Sequence, residues 1–266
     1  MTTTAPTTTG LTVTPRPWNA RGKADHGWLY SFHSFNFASY YDPKYMGVGP
    51  LRVINEDRVE KGTGFGTHSH AEFLIWSYIV SGELEHKDSM GNLEILKRGE
   101  VQFTSAGTGI RHSEYNRNKT NDNHFLQIWA KPDKSGLKPS YVTRNYPDEL
   151  KKDRLVRIIE STKRHGGEKG ENDPIPAESD VSMDASILSP GKTVTHEVVG
   201  SGERELYAHV VMTGKTQPSE GGARIKIGDA VIGEGDGAFI KGASGSLEIE
   251  SVGDKPAEFL LFDVGK

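Results

Sequence analysis

Hydrophobic positions in this chain fall in short runs separated by turn residues, the pattern of an all-β protein. Residues 51–54 read as a strand that passes into polar Asn55, Glu56 and Asp57. Upstream, Phe35 and Phe37 alternate with Ser34 and Asn36, as in a half-buried strand. Residues 73–80 are largely apolar and end at Ser81-Gly82, which predicts a strand buried on both faces. Residues 83–86 open the next strand, 88–92 form a hairpin loop, and 93–96 return. A turn at 97–100 leads into a strand at 101–103, residues 117–119 read as a loop, and a further strand covers 125–129. Residues 147–153 are charged and predict one helical turn between two halves. Short strands then resume at 155–159, 185–188, 206–212, 223–227, 238–240, 247–249 and 259–264, with a Gly-rich charged loop at 162–173.

Candidate chemistry concentrates between Gly62 and Asn116. His68 and His70 are separated by one residue, and so are His112 and Glu114. Residues i and i+2 of a strand share a face. Each pair can therefore look into one cavity, and adjacent strands would bring three imidazoles and one carboxylate together. That donor set suits a divalent transition metal and disfavours calcium or magnesium. The run Gly62-x-Gly64-x-Gly66 has no helix pattern and no Lys-Ser/Thr after it, which argues against a nucleotide loop. Its glycines are expected to allow a tight turn before the ligand strand. His86, beside the hairpin loop, reads as exposed; His33 reads as a hydrogen-bonded structural residue, and Arg52 as a salt-bridge partner. Aromatic residues crowd 16–42, where they predict core packing and a lid, with one or two at a pocket mouth.

The second half looks like a degraded copy of the first. Residues 206–214 resemble 74–82, and Gly235-Asp236 resembles Gly99-Glu100. That frame puts Gly200 and Gly202 in the places of His68 and His70, and Glu248 and Glu250 in those of His112 and Glu114. His196 and His209 are not paired at i, i+2 and are expected to bind no metal.

Composition narrows the function classes. The chain has 266 residues, room for two domains with a sizeable core in each. A formal charge of −4 argues against a large nucleic-acid footprint. With no cysteine, disulfides, thiolate metal sites and a Cys nucleophile are all excluded. The run at 73–80 is too short to cross a bilayer. Residues 1–15, rich in Thr and without a basic and then apolar segment, are expected to be a disordered tail and no secretory signal.

Several runs carry a family resemblance. Gly62 followed by His68-x-His70 and then Gly82, and Gly109 leading to His112 and Asn116, resemble the two cupin motifs. Arg21-Gly22-Lys23-Ala24-Asp25-His26-Gly27-Trp28, Glu85-His86-Lys87-Asp88-Ser89-Met90-Gly91-Asn92 and Ser105-Ala106-Gly107-Thr108-Gly109-Ile110-Arg111-His112-Ser113-Glu114 resemble the pirin family of bicupins more closely. The likeness is dense over 16–146. It implies two cupin-type jelly-roll β-barrels in tandem: a metal-binding domain at 16–146 and a cupin-like domain without a metal site at 147–266. It also implies one divalent metal, typically Fe(2+), on His68, His70, His112 and Glu114. Leu74 and Ile75 stand where the first cupin motif has an acidic residue, and Gly107 where the second has Pro, which leaves the shape of the cavity beside the metal open. Some pirins resemble quercetin dioxygenases, which implies a small aromatic substrate, O₂ and an acid–base role for Glu114. The family also includes nuclear cofactors of transcription, so the alternative is a redox-sensitive, iron-containing regulator with a protein partner. The expected location is cytoplasmic, or nuclear in the second case.

Overall fold

A computed structural model describes residues 10–164, 172–198 and 203–265. Among them the first half contains β1 (Thr12–Arg16), β2 (Gly22–Asp25), β3 (Leu29–His33), β4 (Leu51–Val59), β5 (Gly64–His70), β6 (Leu74–Ser81), β7 (Glu83–Asp88), β8 (Leu93–Lys97), β9 (Glu100–Ser105), β10 (Ile110–Tyr115), β11 (Asn123–Ala130) and β12 (Ser140–Asn145). One helical turn, α1 (Asp148–Lys151), leads to β13 (Val156–Ser161), β14 (Ile175–Ala177), β15 (Val181–Leu188), β16 (Thr193–Val198), β17 (Arg204–Val210), β18 (Arg224–Ile227), β19 (Ala230–Gly233), β20 (Gly237–Lys241), β21 (Gly245–Ser251) and β22 (Ala257–Gly265).

Each half pairs a large sheet with a small one, as a cupin jelly roll does. In the first, β12-β9-β6-β11-β4-β3-β2 stands against β5-β10-β7-β8. In the second, β1-β20-β17-β22-β15-β13-β14 stands against β16-β21-β18-β19. The membership of β1 corrects the tail expectation. Thr12–Arg16 pairs antiparallel with β20, so the N-terminal strand completes the sheet of the other half. Residues 1–9 lie outside the described residues, as do 165–171 of the expected loop.

The two large sheets pack face to face, and period-2 alternation decides what each residue does. On β6, Leu74, Trp76, Tyr78 and Val80 join a core with Ile159, Met183, Leu260 and Phe262 of the second half. Ile79 points the other way, into the first half, against Leu84, Leu96 and Phe125. Ser77, on that same inner face, meets Glu114 and Gln127. The expectation of a strand buried on both faces is met here: seven of the eight residues of β6 are buried.

Inside the second half, an apolar cluster that includes Val194, Ile225, Leu247, Ile249 and Phe259 fills the space between its sheets. Glu248 and Glu250 of β21 are exposed, which corrects the register of the degraded-copy frame; Leu247 and Ile249 face inward instead. Gly200 and Gly202 lie outside the described residues. His196 is held between Asp184 and Asp263, 3.1 Å from each, and His209 bonds Glu56 at 3.2 Å.

Three other expectations change. Residues 34–37 are not a strand: β3 ends at His33, and a loop with a small bridge between Phe37 and Tyr40 follows. Asn55, Glu56 and Asp57 are not a polar exit but buried members of β4. Arg52 bonds the backbone carbonyls of Gly49 and Leu51 rather than a carboxylate. In the glycine run, Gly62 takes a positive φ of 73° at the turn, as expected. Gly64 lies inside β5, where a Cβ would meet the Glu114 carbonyl oxygen at 2.3 Å, so close strand approach requires it.

Candidate metal centre

The His-x-His and His-x-Glu strands are neighbours. β5 and β10 pair antiparallel with His68 opposite His112. A bulge then intervenes, so that Glu114 stands opposite Phe65. On its other side β10 pairs with β7, placing Glu114 opposite His86 and His112 opposite Asp88.

His68, His70 and His112 converge, with ligand atoms all within 4.8 Å of one another. The Nε2 atoms of His68 and His112 are 3.0 Å apart. Two imidazoles bound side by side to one ion at ~2.1 Å would place their nitrogens at about that separation, so the pair fits a shared ion. His68 Nδ1 donates to the Gly66 carbonyl at 2.8 Å, which leaves its Nε2 with a free lone pair toward the cluster. Burial, reinforced by His112 and His68, pushes His70 down to about 4. Burial also lowers His112, with Glu114 opposing. Both rings are therefore neutral near pH 7, the form a metal takes up.

Glu114 is not part of that three-histidine cluster. It belongs to a second, overlapping group with His112 and His86, also within 4.8 Å of one another and fully in the interior. Its Oε2 accepts from Gln127 Nε2 at 2.9 Å, and its Oε1 from Ser77 Oγ at 3.4 Å. His86 corrects the expectation of exposure. It is 0% exposed, edge-on to His112 with ring centres 5.1 Å apart, and 3.5 Å from Asp88. β7 is an inner strand between β10 and β8, and its alternation turns Leu84, His86 and Asp88 inward.

A cavity of about 670 Å³ opens in front of the cluster, lined by His68, His70 and Glu114 at its base. Trp28, Phe37, Phe65 and Trp129 give it aromatic walls. Trp129 meets His70 edge-on at 4.8 Å and Phe37 at 5.6 Å, fixing one wall to the metal-side histidine. Of the aromatic residues at 16–42, Trp28 and Phe37 line the cavity, and His33 is a wall residue besides bonding Asn55. The sequence reading also missed Asp57, Gln127 and Ser77. Their only signal was a polar residue at an inward position of an otherwise apolar strand. Burial pushes the Asp57 carboxyl up to about 7 against the pull of the Ser31 hydroxyl, with Glu114 adding to the rise.

Two jelly-roll halves, one closed by an apolar core and the other opening on a histidine cluster, define a bicupin. Within that class the chain belongs to the pirin family, whose model, described as Pirin, matches residues 16–130. It is 39% identical over 249 residues to a protein named quercetin 2,3-dioxygenase from Escherichia coli O157:H7, a match covering 94% of this chain and 97% of that one. Among solved structures, YhhW from Escherichia coli has a TM-score of 0.82 at 35% identity, over 96% of this chain and 98% of that one. The bacterial pirin YhhW in complex with nickel(II), also from Escherichia coli, has a TM-score of 0.80 at 35% identity, over 95% and 99%. Among the described residues no helix is long and apolar enough to cross a membrane.

Proposed function

We propose that this chain is a metal-dependent dioxygenase of flavonols such as quercetin. In this reading residues 16–146 hold one Fe(2+) on His68, His70, His112 and Glu114, and 147–266 form a half without a metal site. The observation that carries the reading is the convergence of three imidazoles at the base of an aromatic-walled cavity of about 670 Å³. The name of the 39%-identical relative and the nickel complex of YhhW support it. Both come from bacteria, which lends no weight to a nuclear role.

Bound there, the ion would act as a Lewis acid on an enol oxygen and bring substrate and O₂ together. The protein's own contribution is positional. Trp28, Phe37, Phe65 and Trp129 offer apolar faces to a planar ring system and exclude water from it. Gln127 and Ser77 fix the Glu114 carboxylate at the cavity base, where it can accept the proton of a substrate hydroxyl.

Oxygen uptake by the anaerobically iron-loaded protein on addition of quercetin tests this. Uptake should vanish in a variant carrying His68→Ala and His70→Ala. No uptake from wild-type protein that demonstrably holds iron would refute quercetin as substrate.

A further inference from the structure

The cavity has a polar wall that the metal chemistry does not use. Strands β3 and β4 place Ser31 opposite Asp57 and His33 opposite Asn55, and all four line the cavity. Between them, Glu56 and Arg58 point the other way, to the second half. Ser31 and Asp57 are 2% and 4% exposed, so this wall is interior and not rim.

Ser31 Oγ donates to Asp57 Oδ1. Asp57 Oδ2 carries no hydrogen bond from the described residues. That oxygen keeps accessible surface on an otherwise interior wall, and its open side is the cavity. Of the other two carboxyls on the lining, Glu114 already accepts from Gln127 and Ser77, and Asp25 is exposed and accepts from the Gly27 amide. Asp57 is therefore the acceptor left for a ligand. Hydroxyl groups on a planar aromatic molecule are donors of the right kind, and the facing walls are aromatic.

We propose that Asp57, supported by Ser31, is a specificity-determining residue that accepts a hydrogen bond from a phenolic hydroxyl distant from the metal. The cavity thereby selects polyhydroxylated planar substrates over the same ring systems without hydroxyls. A site built to bond a hydroxyl discriminates strongly against the analogue that lacks it, because the site's own polar group is left unpaired. This inference rests on the dioxygenase reading for its substrate class.

Binding to the metal-free protein tests it apart from turnover. Quercetin and flavone, the same ring system without hydroxyls, would be titrated while following the fluorescence of Trp28 and Trp129. Wild-type protein should hold quercetin at least about tenfold tighter than flavone. Asp57→Asn should lose about tenfold for quercetin and less than about twofold for flavone. Ser31→Ala keeps the carboxylate and should retain most of the preference, whereas a merely structural pair would make the two variants alike. Equal affinity of wild type for both ligands, failure to bind quercetin, or equal weakening of both ligands by Asp57→Asn would overturn the assignment. Intact discrimination without oxygen uptake by the iron-loaded protein would instead overturn only the dioxygenase reading.

Discussion

Gln127 governs how Glu114 is presented. Its amide donates to the carboxylate at 2.9 Å from β11 of the opposite sheet, and its own oxygen accepts from Ser77 at 3.3 Å. A partner that orients a metal-binding carboxylate is typically worth 10- to 100-fold in metal affinity. Gln127→Leu should therefore weaken Fe(2+) binding by about tenfold or more, measured by competition with a chromophoric chelator. Ser77→Ala should cost less, since its hydroxyl is 3.4 Å from Glu114. At this scale the sequence was partly legible. Spacing alone paired His68 with His70 and His112 with Glu114, because period 2 is a local property. Gln127, Ser77, His86 and Asp57 were not legible, since a polar residue in a strand shows its importance only when the opposite sheet is known.

Strand β1 shows how an element can be hidden by the distance to its partner. Leu11 and Val13 do alternate with Thr12 and Thr14 and pack on the second half's core, but the alternation is brief, follows a Thr-rich stretch, and has its pairing partner more than two hundred residues away in β20. Arg16 closes the strand. It is 1% exposed, lies 3.3 Å over the Tyr45 ring, and donates to Tyr40 Oη at 3.0 Å. Those tyrosines belong to the loop between β3 and β4, so the contact ties the first half's loop to the second half's sheet. Arg16→Ala should remove the cation–π contact and part of that tie, lowering stability by ~1–3 kcal/mol. A urea titration would show it as a lower midpoint with an unchanged slope. The strands of β6, β7 with β8, and β11 were readable because their apolar runs and turn residues are contiguous. The bulge opposite Glu114 was not, since it depends on how β5 and β10 align around Gly64 and Gly66.

The two halves are joined by a buried charge cluster as well as by their shared core. Glu56, on β4, is fully buried and bonds Arg21 at 2.8 Å, His124 at 3.1 Å, and His209 and the Met212 amide of the second half at 3.2 and 2.8 Å. Burial alone would raise its carboxyl. The bonds from His124 and His209 and the charge of Arg58 outweigh it, and hold Glu56 well below the ordinary range. A carboxyl depressed in the folded state stabilises fully above its unfolded pKa, about 4.3. That contribution fades as pH falls toward the folded value, so the join between halves should weaken in acid. Glu56→Gln should be less stable at pH 7 by ~3–5 kcal/mol, because Arg21 and Arg58 lose their buried counter-charge. The gap to wild type should narrow as pH falls below about 4, because the unfolded wild-type chain takes up a proton there that the folded chain, with its depressed Glu56 carboxyl, does not. Urea unfolding of both proteins from pH 7 to pH 3, in the absence of metal, would read that convergence. A gap that stayed constant through the acid range would mean that Glu56 joins the halves through hydrogen bonding alone and not through its charge.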